Sequence, residues 1–474
     1  MSTTAMSIFI WCSSLMVRYR YRRGSLPSYG MTATAMLVVE CLNIKLFLCA
    51  VILEELVSVG SEVLPIYVSG SRLYLAVDDG GGYGRIYRYD LGSGDLDEVW
   101  SGEGAKFSQV ALDYINNRAV VVGLAKDSGG LPRSAVFVFN PSSESVDVEV
   151  HLNTDEINMF RSVVYDHVYR RFIVGERGYG TDASGGRSAW PNGGGLWVVP
   201  YEGLLDYSRW MRVYEFAGNP EVASVALHVD NYVYAALWRD GSVSKVVKSS
   251  LSSLVSWSDV YSARLNVKSS VHSRGNVLYI PYVDTSSNLL VRWYVGTSSY
   301  YTVIGSVGSN VRYVAGEGVG RYVVVAVGKP DSSTSDIYLV DTAGGGWSVV
   351  GTDVAGVVNG RRFLYDGRRS LYIGSVGGRV YRLSFDYGRV LTLTASPSVV
   401  RVGGTVVLTA VLRDEDGNPV SGATVDFYVA HSVGSSTAGN LIGSRTTDGT
   451  GTASITYTAP VSPAKLMFFA VYRG

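Results

Sequence analysis

Seven times between Leu73 and Phe385 the chain repeats one pattern: a short apolar run, a loop rich in Gly and Asp, then a second run carrying aromatics. The first runs are LYLAV from Leu73, AVVVGL from Ala119, RFIVG from Arg171, YVYAAL from Tyr232, VLYIPY from Val277, YVVVAV from Tyr322 and LYIGSV from Leu371. Successive starts lie 46, 52, 61, 45, 45 and 49 residues apart. Their partners are RIYRYD (85–90), AVFVFN (135–140), LWVVPY (196–201), SKVVKS (244–249), LVRWYV (290–295), IYLVDT (337–342) and VYRLSF (380–385). Self-similarity at a fixed period constrains the fold strongly, because each unit must bury its faces against its neighbours.

A period of 45 to 50 residues built from Val- and Tyr-rich runs fits one four-stranded blade of an all-β propeller. An outer strand follows in most repeats: DEVW (97–100), VDVEVHL (146–152), MRVYEF (211–216), DVYS (259–262), YYTVIG (300–305) and WSVVG (347–351). The seventh repeat lacks one. LEELVSV (53–59), ahead of the first repeat, supplies the missing outer strand and closes the ring, which removes exposed sheet edges. The expectation is a seven-bladed β-propeller over residues 54–388. It rests on period and pattern: there is no WD signature, and DTAGGGW (341–347) spaces Asp, Gly and Trp wrongly for an Asp box.

The last segment reads differently. In TVVLTAVL, Val406, Leu408, Ala410 and Leu412 fall on one face, and Val407, Thr409 and Val411 on the other. Val425, Phe427 and Val429 alternate with Asp426 and Tyr428. DEDGNP (414–419) and DGTG (448–451) are turns. Two sheets packed on those apolar faces would make a sandwich. The runs LTASPSVVRVGGTVVLTAVLRDEDGNPVSGATVDFYV and TTDGTGTASITYTAP resemble the group 1 bacterial immunoglobulin-like domain, the module repeated in invasin and intimin adhesins. The resemblance covers residues 391–474 and implies an immunoglobulin-like β-sandwich over 389–474. In the family a further strand follows, so the domain reads as truncated. The resemblance also implies an exported protein, with the module as spacer or adhesive stalk.

Charge is balanced, with 41 Lys and Arg against 41 Asp and Glu, so there is no basic field to hold nucleic acid. The three cysteines, Cys12, Cys41 and Cys49, all precede the repeats. Residues 1–53 hold two apolar runs, AMSIFIWCSSLMV (5–17) and MLVVECLNIKLFLCAVIL (36–53). The second is about long enough to span a bilayer, although Glu40 and Lys45 count against it. A start at Met36 would make LFLCAVIL part of an export signal. A mis-assigned start, with an uninformative 1–35, is the competing reading.

Compact catalytic motifs are missing from the sequence: there is no metalloprotease His pair, Cys-x-x-Cys, nucleophile elbow or phosphate loop. The five histidines are scattered without ligand spacing. In a propeller the loops joining second and third strands open on one face. Six of the seven carry an Asp: Asp78 or Asp79, Asp127, Asp182, Asp240, Asp284 and Asp331. Such a ring can bind Ca²⁺ or sugar hydroxyls, and equally it is ordinary hairpin-turn chemistry. The third of these loops is the longest and holds Arg177, Tyr179, Asp182, Arg187 and Trp190 among glycines, a set suited to stacking on and hydrogen bonding a sugar. A tolerated surface insertion remains the other reading.

Three functions stay open. The first is a non-catalytic extracellular or cell-surface protein binding envelope glycan or protein. The second is a propeller glycosidase or lyase with an accessory immunoglobulin-like domain. The third is a self-associating envelope-lattice component.

Overall fold

The computed structural model describes residues 51–473 except 114–115, 152–158, 178, 182–186, 190–193, 240, 343–344, 361, 368, 386–388, 398–399, 401–402, 415–417, 433–436 and 461–467. The cysteines, the apolar runs before residue 51, Asp182, Trp190 and Asp240 therefore lie outside the described residues.

The described chain is all β apart from three short 3-10 turns. Antiparallel four-stranded units follow one another along the chain, the fifth continuing into a larger sheet and the last drawing one strand from before the first. The first strands are Glu62–Ser69, Lys106–Asp113, Met159–Asp166, Glu221–His228, His272–Gly275, Tyr313–Val319 and Phe363–Tyr365. Each pairs with the repeat run identified from the sequence, which is thus the second strand of its sheet. The last sheet takes its outer strand from Val51–Ser58, which pairs antiparallel with Arg379–Phe385. That is the place read for 53–59, except that the strand starts two residues earlier, inside the apolar run given as 36–53. Neighbouring first strands touch in chain order, and Phe363–Tyr365 touches Glu62–Ser69. The sheets thus close around a common axis as in a β-propeller.

The second strands are apolar throughout because both of their faces are covered. Ala119 and Val121 pack towards the first sheet, whereas Val120 and Val122 pack towards the third. Val323, Val325 and Val327 enter the core shared with the fifth sheet, and Val324 and Ala326 the core shared with the seventh. Alternation thus separates two cores rather than core from solvent.

The first strands share a defect. In sheets one to four the register slips by one residue at Ile66, Ser108, Arg161 and Ala223. These are β-bulges, which re-aim side chains and increase local twist. The next polar residue then bridges to the neighbouring sheet. Gln109 Oε1 accepts from the Val163 N–H at 2.8 Å, and Ser162 Oγ donates to the Val222 carbonyl at 2.8 Å. Ser224 Oγ accepts from the Val271 N–H at 2.7 Å. Farther round, Arg362 donates to the Val63 carbonyl at 3.0 Å and joins the last sheet to the first.

Beyond the ring lie two further sets of strands. Arg389–Ser396, Thr405–Asp414 and Thr452–Thr458 form one sheet, while Thr437–Thr446, Thr424–Ser432 and Phe468–Arg473 lie side by side in another. Val406, Leu408, Ala410, Val425 and Phe427 share the core between them, as the alternation predicts. Asp426 and Tyr428, on the alternate face of that strand, are buried as well, at 1% and 2% exposure. They bond each other at 3.3 Å, and Ser444 donates to Asp426 at 2.5 Å. Their strand touches the first strand of the third sheet, so its second face is covered too. Thr437 and Ala438 pair in parallel with Arg274 and Gly275, on the axial edge of the fifth sheet.

The bulge in the second sheet demands a glycine across from it. A Cβ on Gly123 would lie 1.9 Å from the Lys106 carbonyl oxygen, a backbone atom that cannot swing away. Gly123→Ala is expected to lower unfolding free energy in urea by about 1–3 kcal/mol. Gly449→Ala, where nothing lies within 4 Å, should leave the midpoint unchanged.

Candidate functional site

The registers place two sets of groups at one end of the ring. Each first strand begins opposite the end of its second strand: Glu62 pairs with Asp78, Lys106 with Leu124, Met159 with Arg177, and Glu221 with Trp238. The loops between second and third strands therefore surround the starts of the first strands, at the mouth of the axis.

The loop aspartates described here are engaged in their own turns. Asp79 Oδ1 accepts from the N–H groups of Gly81 at 2.8 Å and Tyr83 at 3.0 Å, and its Oδ2 from Arg85 at 3.1 Å. Asp127 repeats this with Gly129, Leu131 and Arg133. The N–H groups of Tyr83 and Leu131, respectively, are the main reason why these two carboxyls sit below the usual range. Asp284 accepts from the Ser286 and Asn288 N–H groups, and Asp331 is exposed in a 3-10 turn. Asp78 accepts from the Gly80 N–H. No group of three or more His, Cys, Asp and Glu among the described residues could hold a metal ion.

Of the third loop, the structure describes Arg177 at the end of its strand, then Tyr179–Thr181 paired with Arg187–Ala189 as a small hairpin. Tyr179 and Arg187 thus lie on facing strands, two places apart in register. Arg177 lies near enough to Glu221 to act on its ionisation.

That contact leads to a cluster which the sequence reading missed. A narrow polar cleft, open to solvent, lies between the starts of the first strands. Ser108, Arg161 and Ala223, the bulged residues of three sheets, all line it, as do Gln109, Glu221, Lys268 and Arg362. Glu221 Oε1 accepts from Lys268 Nζ at 2.9 Å and from Arg161 Nε at 3.1 Å. Lys268 is fixed by its backbone, whose N–H donates to the Arg312 carbonyl and whose carbonyl accepts from the Val314 N–H, both at 2.8 Å. Its ammonium stands 5.0 Å from the Trp238 ring centre. Arg362 pairs with Glu62 and donates to Asn359 at 3.1 Å.

The electrostatics follow from burial. Burial alone would raise the Glu221 carboxyl, but Lys268 and then Arg161 outweigh it and hold the group at about 2. Burial pushes Lys268 down to about 8 against the upward pull of Glu221. Arg362 is pushed by burial to about 10. A signal for these residues was present in the sequence, as single charges inside apolar runs: Arg161 in MFRSVV and Glu221 in EVASVAL.

No family model matches the chain, and no curated protein matches its sequence. Among solved structures it is similar to YCF48 from Cyanidioschyzon merolae, at 12% identity and TM-score 0.46, over 70% of this chain and 98% of that one. It is similar to a chain from a structural and mechanistic analysis of two prolyl endopeptidases, at 14% identity and TM-score 0.42, over 76% of this chain. It spans only 56% of that endopeptidase chain. It is also similar to a chain of a nidogen/laminin complex, at 11% identity and TM-score 0.37, over 60% of this chain and 94% of the other.

Two outcomes test the cluster. Glu221→Gln leaves a buried ammonium and a half-buried guanidinium facing an amide and is expected to destabilise the fold by about 3–5 kcal/mol in urea. Lys268 titrates near 8 when folded and at 10.5 when free, so the unfolded chain holds more protons between those values. Stability therefore gains a positive slope with pH above about 8. Calorimetry from pH 7.5 to 9.5 should show that slope reduced in Lys268→Met.

Proposed function

We propose that the chain is a non-catalytic binding protein of the cell exterior. Residues 54–388 act as a seven-bladed β-propeller that takes an envelope glycan at its loop-bearing end, and residues 389–474 act as an immunoglobulin-like spacer. A protein ligand is the alternative partner.

The observation that carries this reading is the condition of the carboxylates at that end. Hydrolysis of a glycosidic bond by paired carboxyls needs one of them held protonated by a raised pKa. Asp79, Asp127 and Glu221 all shift the other way, each held ionised by N–H groups or cations. Carboxylates held this way position neighbours and accept hydrogen bonds from hydroxyls, which suits recognition. The many glycines of the surrounding loops let a ligand approach the backbone closely. The spacer role and the exterior location are supported by the resemblance of residues 391–474 to adhesin modules. Anchoring through 36–53 and Ca²⁺ at the loop aspartates stay part of the proposal.

The test is retention of the full-length chain on a panel of immobilised envelope polysaccharides, with and without Ca²⁺, with reducing-end release read from the same wells. Retention without release is expected, falling about tenfold in Trp190→Ala if stacking on the third loop contributes as aromatic–sugar contacts do. Release of reducing ends would overturn the reading in favour of a glycosidase or lyase. Retention of none of the polysaccharides would shift it to a protein ligand or a lattice role.

A further inference from the structure

We propose that the axial cavity is a carboxylate-binding subsite, which takes the acid group of a uronate residue from the ligand glycan. The proposal rests on the glycan-binding reading and names the chemical class of its ligand.

Three observations converge on it. The first is charge. Arg161 and Lys268 both bond a single oxygen of Glu221, so two cations share one carboxylate, while Arg362 is matched by Glu62. This sharing occurs at a site where Lys268 is only 6% exposed, with Arg177 close enough to add to the positive field. A buried charge without a counter-charge is costly, and a monoanion relieves that cost.

The second is an unused donor. Gln109 is 2% exposed, and its Oε1 is committed to the Val163 N–H. That bond fixes the orientation of the amide, so the nitrogen is the atom left over. This Nε2 is buried with no hydrogen-bond partner among the described residues. Buried donors are normally satisfied, and each exception calls for an explanation. Here the side chain carrying the unused donor lines the cavity, beside the cations.

The third is placement. The bulges at Ser108 and Arg161 bring a hydroxyl and a guanidinium to the cavity from adjacent sheets, with Nη1 of Arg161 donating to Ser108 Oγ at 3.4 Å. An amide, a guanidinium and an ammonium pointing at one space can hold both oxygens of a carboxylate. Ser108 and Asn359 at its wall suit the ring hydroxyls of a sugar. The narrowness of the cleft favours a planar carboxylate over a tetrahedral phosphate, and the hydroxyl-binding wall favours a sugar acid over an acidic peptide.

The test is calorimetric titration of the full-length chain at pH 7 with sodium glucuronate, glucose, inorganic phosphate and an N-acetylated glutamyl peptide at matched ionic strength. Glucuronate is expected to bind with a dissociation constant on the order of 1 mM, and glucose at least tenfold more weakly. Gln109→Glu keeps the acceptor for Val163 but replaces the donor with a negative charge. It should abolish glucuronate binding without lowering the melting temperature. At pH 9 the affinity should fall by about tenfold as Lys268 loses its proton, while Glu221 and Arg161 keep their charge and Arg362, at about 10, stays mostly charged.

Equal binding of glucose, preference for phosphate, or preference for the peptide would each overturn the uronate assignment. Unchanged glucuronate binding in Gln109→Glu would remove it from this cavity, and no binding of any probe would leave the cluster purely structural. Polysaccharide retention that survives Gln109→Glu would sink this subsite but not the glycan-binding reading. Glucuronate binding without polysaccharide retention would do the reverse.

Discussion

Closing sheets around an axis leaves the inner edge of every first strand without a strand to pair with, and the rest of this structure depends on how that edge is satisfied. Backbone groups there are partly cut off from water and need partners. The chain meets the need with side chains. Gln109 serves Val163, Ser162 serves Val222, Ser224 serves Val271, and Arg362 serves Val63. In the first three cases the bridging residue comes directly after, or is freed by, a one-residue bulge. The bulge has a second effect: it turns Ser108, Arg161 and Ala223 into the cavity wall. Ring closure and the polar mouth therefore have one origin, and Gly123 across from the second-sheet bulge serves both.

The Glu221 cluster is not explained by stability alone. Buried ion pairs seldom outperform apolar packing of the same volume, since desolvation offsets most of the attraction. The downward shift of Lys268, in spite of a carboxylate at 2.9 Å, shows that burial dominates for this residue. A ring that needed only packing would be served as well by apolar side chains there. Perturbed groups that gather in a cavity are the usual mark of a working surface.

Much of the ring was legible in the sequence because second, third and outer strands carry strong local signals. The period placed all seven second strands, and Val51–Ser58 was found from the one outer strand that was missing. The first strands were passed over. EVLPIYVS and KFSQVALD lack clean alternation, since both faces are buried and the bulge breaks the period of two. The cluster went unread for the same reason: Arg161, Glu221 and Lys268 are 47 to 107 residues apart and meet only through ring closure. The loop aspartates were visible as a set, but their immediate bonding is local. Asp79 with Arg85 and Asp127 with Arg133 share a spacing of six that holds each turn together. The burial of Asp426 was not legible because alternation reports a covered face but not how many faces are covered.

The two ends of the axis differ in kind. The loop end holds charge and an open mouth. At the other end the first strand of the fifth sheet finishes at Arg274 and Gly275, and its free edge is taken up by Thr437 and Ala438 in parallel pairing. This is addition of a strand to an exposed edge, the way many proteins engage peptides, here made within one chain. It covers backbone groups that side chains cover elsewhere in the ring. Arg274 reaches from the same place to Glu317 at 2.6 Å, so charge at this end is matched within the ring. Two cations sharing one carboxylate thus mark the loop end alone, which gives the ring a direction that its repeats alone would not.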